Sequence, residues 1–178
     1  MKKLQLEELN RISSDEFKQK QKFPIVVILD NIRSALNVGS VFRTCDAFNI
    51  SKVYLCGITA CPPNKEINKT AIGASETVVW EYCKDITTIV DRLKSEGYTM
   101  CAIEQTDQSI QLNSFEVKLN AKYALILGNE VDGVAEEILP SMDFAIEIPQ
   151  FGTKHSLNVS VCAGIVLWHF IVTQTLNE

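Results

Sequence analysis

Three clusters of polar residues carry the chemistry open to this 178-residue chain. The first is Asp30, Asn31, Arg33, Asn37 and Arg43, which follow the aliphatic run Ile25–Leu29. An arginine fork can grip a phosphate or stabilise a developing oxyanion. The same residues also read as a helix cap and an ion pair of Arg43 with Asp46 or Asp30. The second cluster, 128-GNEVDG-133, follows Tyr123–Leu127. Glycine at a strand exit lets backbone approach a ligand closely, and Gly133 suits a tight turn or a positive φ. Asn and Glu between two glycines are equally simple turn residues. The third, 149-PQFGTKHSLNVS-160, follows Phe144–Ile148. It exposes backbone N–H and C=O groups ahead of the last helix. Ser156 and Asn158 also read as caps, and Lys154 with His155 as a loop tip.

The elements that must position these residues follow from hydrophobic period and punctuation. Residues 4–20 predict two short helices, with Leu6, Leu9 and Ile12 as an apolar stripe and Ser13–Glu16 as a capping box. Pro24 ends any helix. Continuous aliphatic runs predict strands buried on both faces at Ile25–Leu29, Lys52–Cys56, Tyr98–Ile103 and Tyr123–Leu127. Shorter strands are expected at Val78–Tyr82 and Phe144–Ile148, the latter stopped by Pro149. Asp30–Leu36 reads as loop, and Asn37 as the N-cap of a helix carrying Val38, Val41, Phe42 and Cys45. Residues 57–69 read as loop. Asp85 caps a helix to Glu96 that Gly97 stops. Ala135–Leu139 is a short helix, and Asn158 to about Thr173 the closing one. Strands alternating with helices make an α/β domain with a mainly parallel sheet, whose ligands bind outside the carboxyl ends of the strands.

Other chemistries lack their signatures. There is no G-x-x-x-x-G-K-[ST], no G-x-G-x-x-G after the first strand and no G-x-S-x-G. Cysteines 45, 56, 61, 83, 101 and 162 form no C-x-x-C pair, and the two histidines complete no ligand set, so neither a metal site nor a disulfide framework is expected. Free thiols in a reducing cytoplasm are the expectation. No secretory signal is read at the N-terminus. The most apolar stretch, Val159–Val172, is broken by Ser160 and His169. It falls short of the roughly 18 apolar residues of a membrane span and predicts a buried C-terminal helix. Composition, 46% hydrophobic and 22% charged, is that of one soluble globular domain. A net charge of -5 argues against a simple nucleic-acid binder. Its distribution softens that objection: residues 1–75 net +4, 76–147 net −9 and 148–178 zero. One face can therefore bind phosphate while the rest stays acidic.

Taken in order, N-x-G-x-x-x-R (Asn37, Gly39, Arg43), L-G-N-E-x-x-G (Leu127–Gly133) and I-P-x-x-G-x-x-x-S-L-N-V-S (Ile148–Ser160) resemble the three motifs of the SpoU/TrmH family of RNA 2′-O-ribose methyltransferases, in the SPOUT superfamily. The resemblance covers residues from about 24 to 174. It implies a SPOUT α/β fold, a mainly parallel sheet flanked by helices, with a C-terminal deep trefoil knot made by segments around 128–174. Residues 1–23 would be a short N-terminal helical extension and 24–178 the methyltransferase domain. It implies S-adenosyl-L-methionine as cofactor, RNA as partner and a cytoplasmic homodimer. Arg43 is then the catalytic arginine, with Asn37 and Glu130 orienting it. Ser156 and Asn158 shape the pocket or the dimer contact. Gly128, Ile148 and Leu157, with Ile103 or Glu104, would hold the cofactor, and Arg33, Arg43 and Lys154 would contact RNA. The stretch 97-GYTMCAIEQTDQSIQL-112 further resembles tRNA-type members, whose substrate is the D-loop guanosine at tRNA position 18. A wobble-nucleotide or ribosomal RNA target, a catalytically silent tRNA-binding module and, on the pI of about 5.1, a small-molecule α/β enzyme stand as alternatives.

Overall fold

The aliphatic runs become the centre of a seven-stranded parallel sheet because both their faces are covered. The computed structural model describes residues 1–9 and 11–175, without the side chains of Leu6 and Glu7. A 3-10 turn (Leu6–Leu9) and α1 (Ser14–Gln19) precede β1 (Phe23–Asp30), α2 (Ala35–Ala47) and β2 (Ile50–Cys56). Then come α3 (Lys65–Ala71), α4 (Ala74–Thr77), β3 (Trp80–Cys83), α5 (Ile86–Ser95) and β4 (Thr99–Ile103). The chain ends with β5 (Ile110–Gln111), β6 (Tyr123–Leu127), β7 (Phe144–Glu147) and α6 (Val159–Thr175). Strand order is β3-β2-β1-β6-β4-β7-β5, all pairs parallel.

Alternate residues of the central strands feed two cores. Ile25, Val27 and Leu29 of β1 and Leu125 and Leu127 of β6 face α2, α3 and α6. Val26, Ile28, Ala124 and Ile126 face α5, where Ile89, Val90 and Leu93 pack. Full burial of each such aliphatic side chain contributes roughly 1.5–3 kcal/mol, which explains why these strands read so plainly in the sequence. Pro24 lies inside β1 rather than before it. The register shifts between Phe23 and Val26, so its missing N–H falls at an irregular pair.

The starts of α1, α2, α3 and α5 are set by side-chain caps. Ser13 and Glu16 form the expected capping box of α1. The stripe expected ahead of it is not a core: Leu9 and Ile12 are exposed, and the Leu6 side chain lies outside the described set. Asp85 caps α5 through the Thr87 N–H, and Gly97 follows at φ 81°. Ser34, not Asn37, caps α2: its side chain accepts from the Asn37 N–H, leaving the Asn37 side chain free for other work. The expected loop 57–69 holds the start of α3, capped by Asn64, and the helix expected at Ala135–Leu139 is a 3-10 turn, Glu136–Ser141, with Pro140 inside it. The closing helix α6 is only partly buried. Val161, Ile165 and Trp168, spaced as one stripe, stay exposed.

Candidate active site

The carboxyl ends of β4, β6 and β7 open into a cavity of about 560 Å³. Three exit segments line it: Ile103 to Gln105 after β4, Leu127 to Gly133 after β6, and residues 146–159 around the β7 exit. All five residues expected to hold a cofactor, Ile103, Glu104, Gly128, Ile148 and Leu157, are on its wall. So are Glu130, Ser156 and Asn158. The wall also holds Asn129 of the second motif, and Gln105, Glu147, Gln150 and Cys162, which the motifs alone did not single out. The signal for the last four was position, since each lies within four residues of a candidate site residue.

The β6 loop is closed by backbone. Asn129 and Gly133 exchange hydrogen bonds of 3.0 and 3.1 Å, and the Asn129 side chain accepts from the Val131 and Asp132 N–H groups at 2.8 Å. Gly133 takes φ 71°. A Cβ on Gly128 would lie 1.9 Å from the Gly133 carbonyl carbon, so only glycine admits this approach.

The dipeptide Glu104–Gln105 ties the three exits together. The Glu104 carboxylate accepts from Val134 N–H at 3.0 Å and from Gln105 N–H at 2.8 Å, while its own N–H donates to the Ile146 carbonyl at 3.1 Å. The Gln105 amide donates to the His155 carbonyl at 2.7 Å. One residue holds the β6 loop and the next holds the β7 loop.

A second network joins α2, the β6 loop and α6. Asn37 Nδ2 donates to Glu130 at 2.8 Å, and Asn158 Nδ2 donates to Asn37 Oδ1 at 3.2 Å. Asn158 Oδ1 accepts from the Ser160 N–H at 2.9 Å, capping α6. Partial burial works to raise the Glu130 pKa, but bonds from its own backbone, Asn37, Arg33 and Ser34 outweigh it and leave the pKa lowered. Glu130 therefore stands as an acceptor-only carboxylate at neutral pH.

Arg43 is elsewhere. Six residues along α2 from Asn37, it sits about 9 Å further on and about 120° round the axis. It is exposed and forms no hydrogen bond or ion pair with any described residue, Asp30 and Asp46 included. It lies in a second depression, with Ser40, Thr44, Lys69 and Thr70. Asn37 and Glu130 bond to each other, and among the described residues neither has a hydrogen bond or ion pair with it. Arg33 pairs with Asp132 at 3.6 Å at an exposed site, an arrangement worth little by itself. Lys154 and Ser156 are exposed. Among the described residues no group of three or more His, Cys, Asp or Glu could hold a metal ion, and no helix is long and apolar enough to cross a membrane.

This geometry has known counterparts. Residues 24–168 match the model of the SpoU rRNA Methylase family. A mouse tRNA (guanosine(18)-2′-O)-methyltransferase is 29% identical over 86% of this chain, which spans 10% of that protein. A 23S rRNA (guanosine-2′-O-)-methyltransferase from Neisseria meningitidis is 33% identical over 81% of this chain, which spans 56% of it. The AdoMet-bound rRNA methyltransferase of Sinorhizobium meliloti superposes with a TM-score of 0.77 at 25% identity, over 86% of this chain and 58% of that one. The parallel α/β sheet flanked by helices is thus shared with such enzymes, and the chain belongs to the SpoU rRNA Methylase family.

Proposed function

We propose that this protein transfers a methyl group from S-adenosyl-L-methionine to a ribose 2′-hydroxyl of RNA. The observation that carries this reading is the cavity: every residue expected to hold the cofactor lines it, and it lies within the family match. Its size suits a ligand of that class. Its wall suits a sulfonium compound in charge as well, because Glu104, Glu130, Asp132 and Glu147 face it. Backbone at Gly128, Ile148 and Leu157 would read the adenine edge, and aliphatic side chains such as Ile103 would cover its faces. S-adenosyl-L-methionine supplies an activated methyl there, so the chain's main task is positioning. Holding the reactants in near-attack geometry is worth roughly 7–11 kcal/mol.

Asn37, Glu130 and Asn158 fix the walls of the cavity relative to α2. Ser156, at the mouth, shapes the pocket. Arg43 grips the RNA phosphate and stabilises the developing alkoxide, roles that suit the donor-only fork of a guanidinium. Arg33 and Lys154 add RNA contacts. The acceptor we favour is the D-loop guanosine at position 18 of tRNA, on the likeness of residues 97–112 to tRNA-type members. The exposed stripe Val161, Ile165 and Trp168 supports a homodimer closed across α6. We also propose the trefoil knot at 128–174, the division into a 1–23 extension and a 24–178 domain, and residence in the cytoplasm, where six free thiols persist. Support for the knot is the return of the chain from β7, beyond β4, to α6 against α2. Mapping methylated nucleotides in total RNA with and without the protein tests the reading. An unchanged map, with no binding of S-adenosyl-L-methionine in calorimetry, overturns it.

A further inference from the structure

The depression between α2 and α3, some 480 Å³ and open to solvent, is a site the cofactor cavity does not explain. Gly39 creates it. A Cβ there would lie 2.2 Å from Thr70 Oγ1 and 2.3 Å from the Ile67 carbonyl oxygen, so the absence of a side chain lets α3 rest directly on α2. Thr70 locks the contact by donating to the Leu36 carbonyl at 2.8 Å. Lys69 is thereby placed beside the face of α2 that carries Ser40, Arg43 and Thr44.

Charge decides what such a groove can take. None of its lining residues is acidic, whereas the cofactor cavity is walled by four carboxylates. A phosphate entering the cavity would meet like charge. In the groove it would meet the unpaired Arg43 guanidinium and the Lys69 ammonium. Among the described residues Lys69 is paired only with Glu66, at 2.6 Å and at exposed positions, and an exposed i,i+3 pair is weak enough to open for a phosphate. The groove and the Asn37 network share one helix, about 9 Å apart along its axis.

Resting on the proposed RNA methylation, we propose that the α2–α3 groove binds a phosphodiester of the RNA next to the acceptor nucleotide, with Lys69 and Arg43 as its cationic walls. Cation enters one end of this surface and polyanion the other, which separates the two substrates by charge.

The test is the salt dependence of binding to an unmodified tRNA transcript. Each lost phosphate contact lowers the slope of log K against log salt by about 0.7–0.9. Lys69→Gln should lose one such unit of slope, and Lys69→Arg should restore it. Glu66→Gln should tighten RNA binding, a direction that damage to α3 would not produce. Lys65→Gln, on the same helix outside the groove, serves as the control. Inorganic phosphate should compete only weakly, because a single anion lacks the neighbouring RNA contacts. An unchanged slope in Lys69→Gln, weaker binding in Glu66→Gln, or no binding of tRNA by the wild type would each overturn the groove. S-adenosyl-L-methionine calorimetry on the same samples keeps this outcome separate from failure of the methyltransferase reading.

Discussion

Asn37 and Glu130, 93 positions apart in the chain, are joined by a hydrogen bond of 2.8 Å between a helix side chain and a strand-exit carboxylate. The bond exists because Ser34 takes over the capping of α2 and frees Asn37 to reach across. Asn158 extends the link to the start of α6. The three polar motifs of the sequence are therefore one structural joint, whose loss should be felt in cofactor binding before it is felt in folding.

Glu130→Ala should lower kcat/KM for methyl transfer by at least about tenfold, since a hydrogen bond to a charged group is worth roughly 1.5–3 kcal/mol. Labelled-methyl transfer to RNA reads it. The carboxylate's lowered pKa sets the pH range. A depressed acid contributes stability that is present above its ordinary value of about 4.3 and lost as pH falls through the lowered one. The joint should accordingly be intact at pH 5 and fail only in stronger acid. Equal activity of Glu130→Ala and wild type at pH 7 would sink this role.

Gly128→Ala should abolish S-adenosyl-L-methionine binding. The new Cβ meets backbone, at 2.1 Å from both the Gly133 oxygen and the Val134 nitrogen, and no rotamer can relieve that. Overpacking of this kind costs about 1–3 kcal/mol or more. Calorimetry should show no heat of binding, with a Tm lowered by a few degrees. Near-normal affinity would mean that the β6 loop is far more pliable than its paired backbone bonds imply.

The central strands and the cavity wall were legible in the sequence for one reason: both follow from aliphatic runs buried on two faces, whereas the two-residue β5 has no such run. Ile103, Leu127 and Ile146 mark the buried ends of β4, β6 and β7, and the cavity-lining residues come next. The lesser helices were not legible. In α3, KEINKTA, only Ile67 and Ala71 are buried, too few to show a helical period. Asn37 looked like a cap because capping is what asparagine before an apolar stripe usually does. That Ser34 holds the post is settled by three residues of backbone geometry. The separation of Arg43 from Glu130 was hidden for a different cause. The six-residue step from Asn37 turns Arg43 about 120° away, but nothing in the sequence says which face of α2 meets the β6 loop.

Gln105→Ala should raise KM for S-adenosyl-L-methionine about five- to tenfold while kcat and Tm change little. Its amide bond to the His155 carbonyl, 2.7 Å, restrains an otherwise exposed loop, and a neutral hydrogen bond nets about 1 kcal/mol. Gln105→Glu should be worse, since a carboxylate would then oppose that carbonyl. If Gln105→Glu binds as well as wild type, the β7 loop does not depend on this clamp.

Asp30 offers a test of the buried end of β1. It is 1% exposed, and burial raises its pKa, although bonds from the Ala135 N–H and the Asn31 amide pull the other way and Glu137 adds to the rise. Between the ordinary value near 3.9 and the raised one, the folded chain holds a proton that the unfolded chain has released. The wild type therefore loses stability from this group as pH climbs through that window. Asp30→Asn can still accept from the Ala135 N–H and carries no charge to bury. Its stability relative to wild type should be poorest in acid and should improve as pH rises past the window, measured by urea unfolding at several pH values. A difference that stays constant across pH, or moves in the opposite direction, would show that Asp30 is ionised in the fold at no cost, held by Ala135 and Asn31 alone.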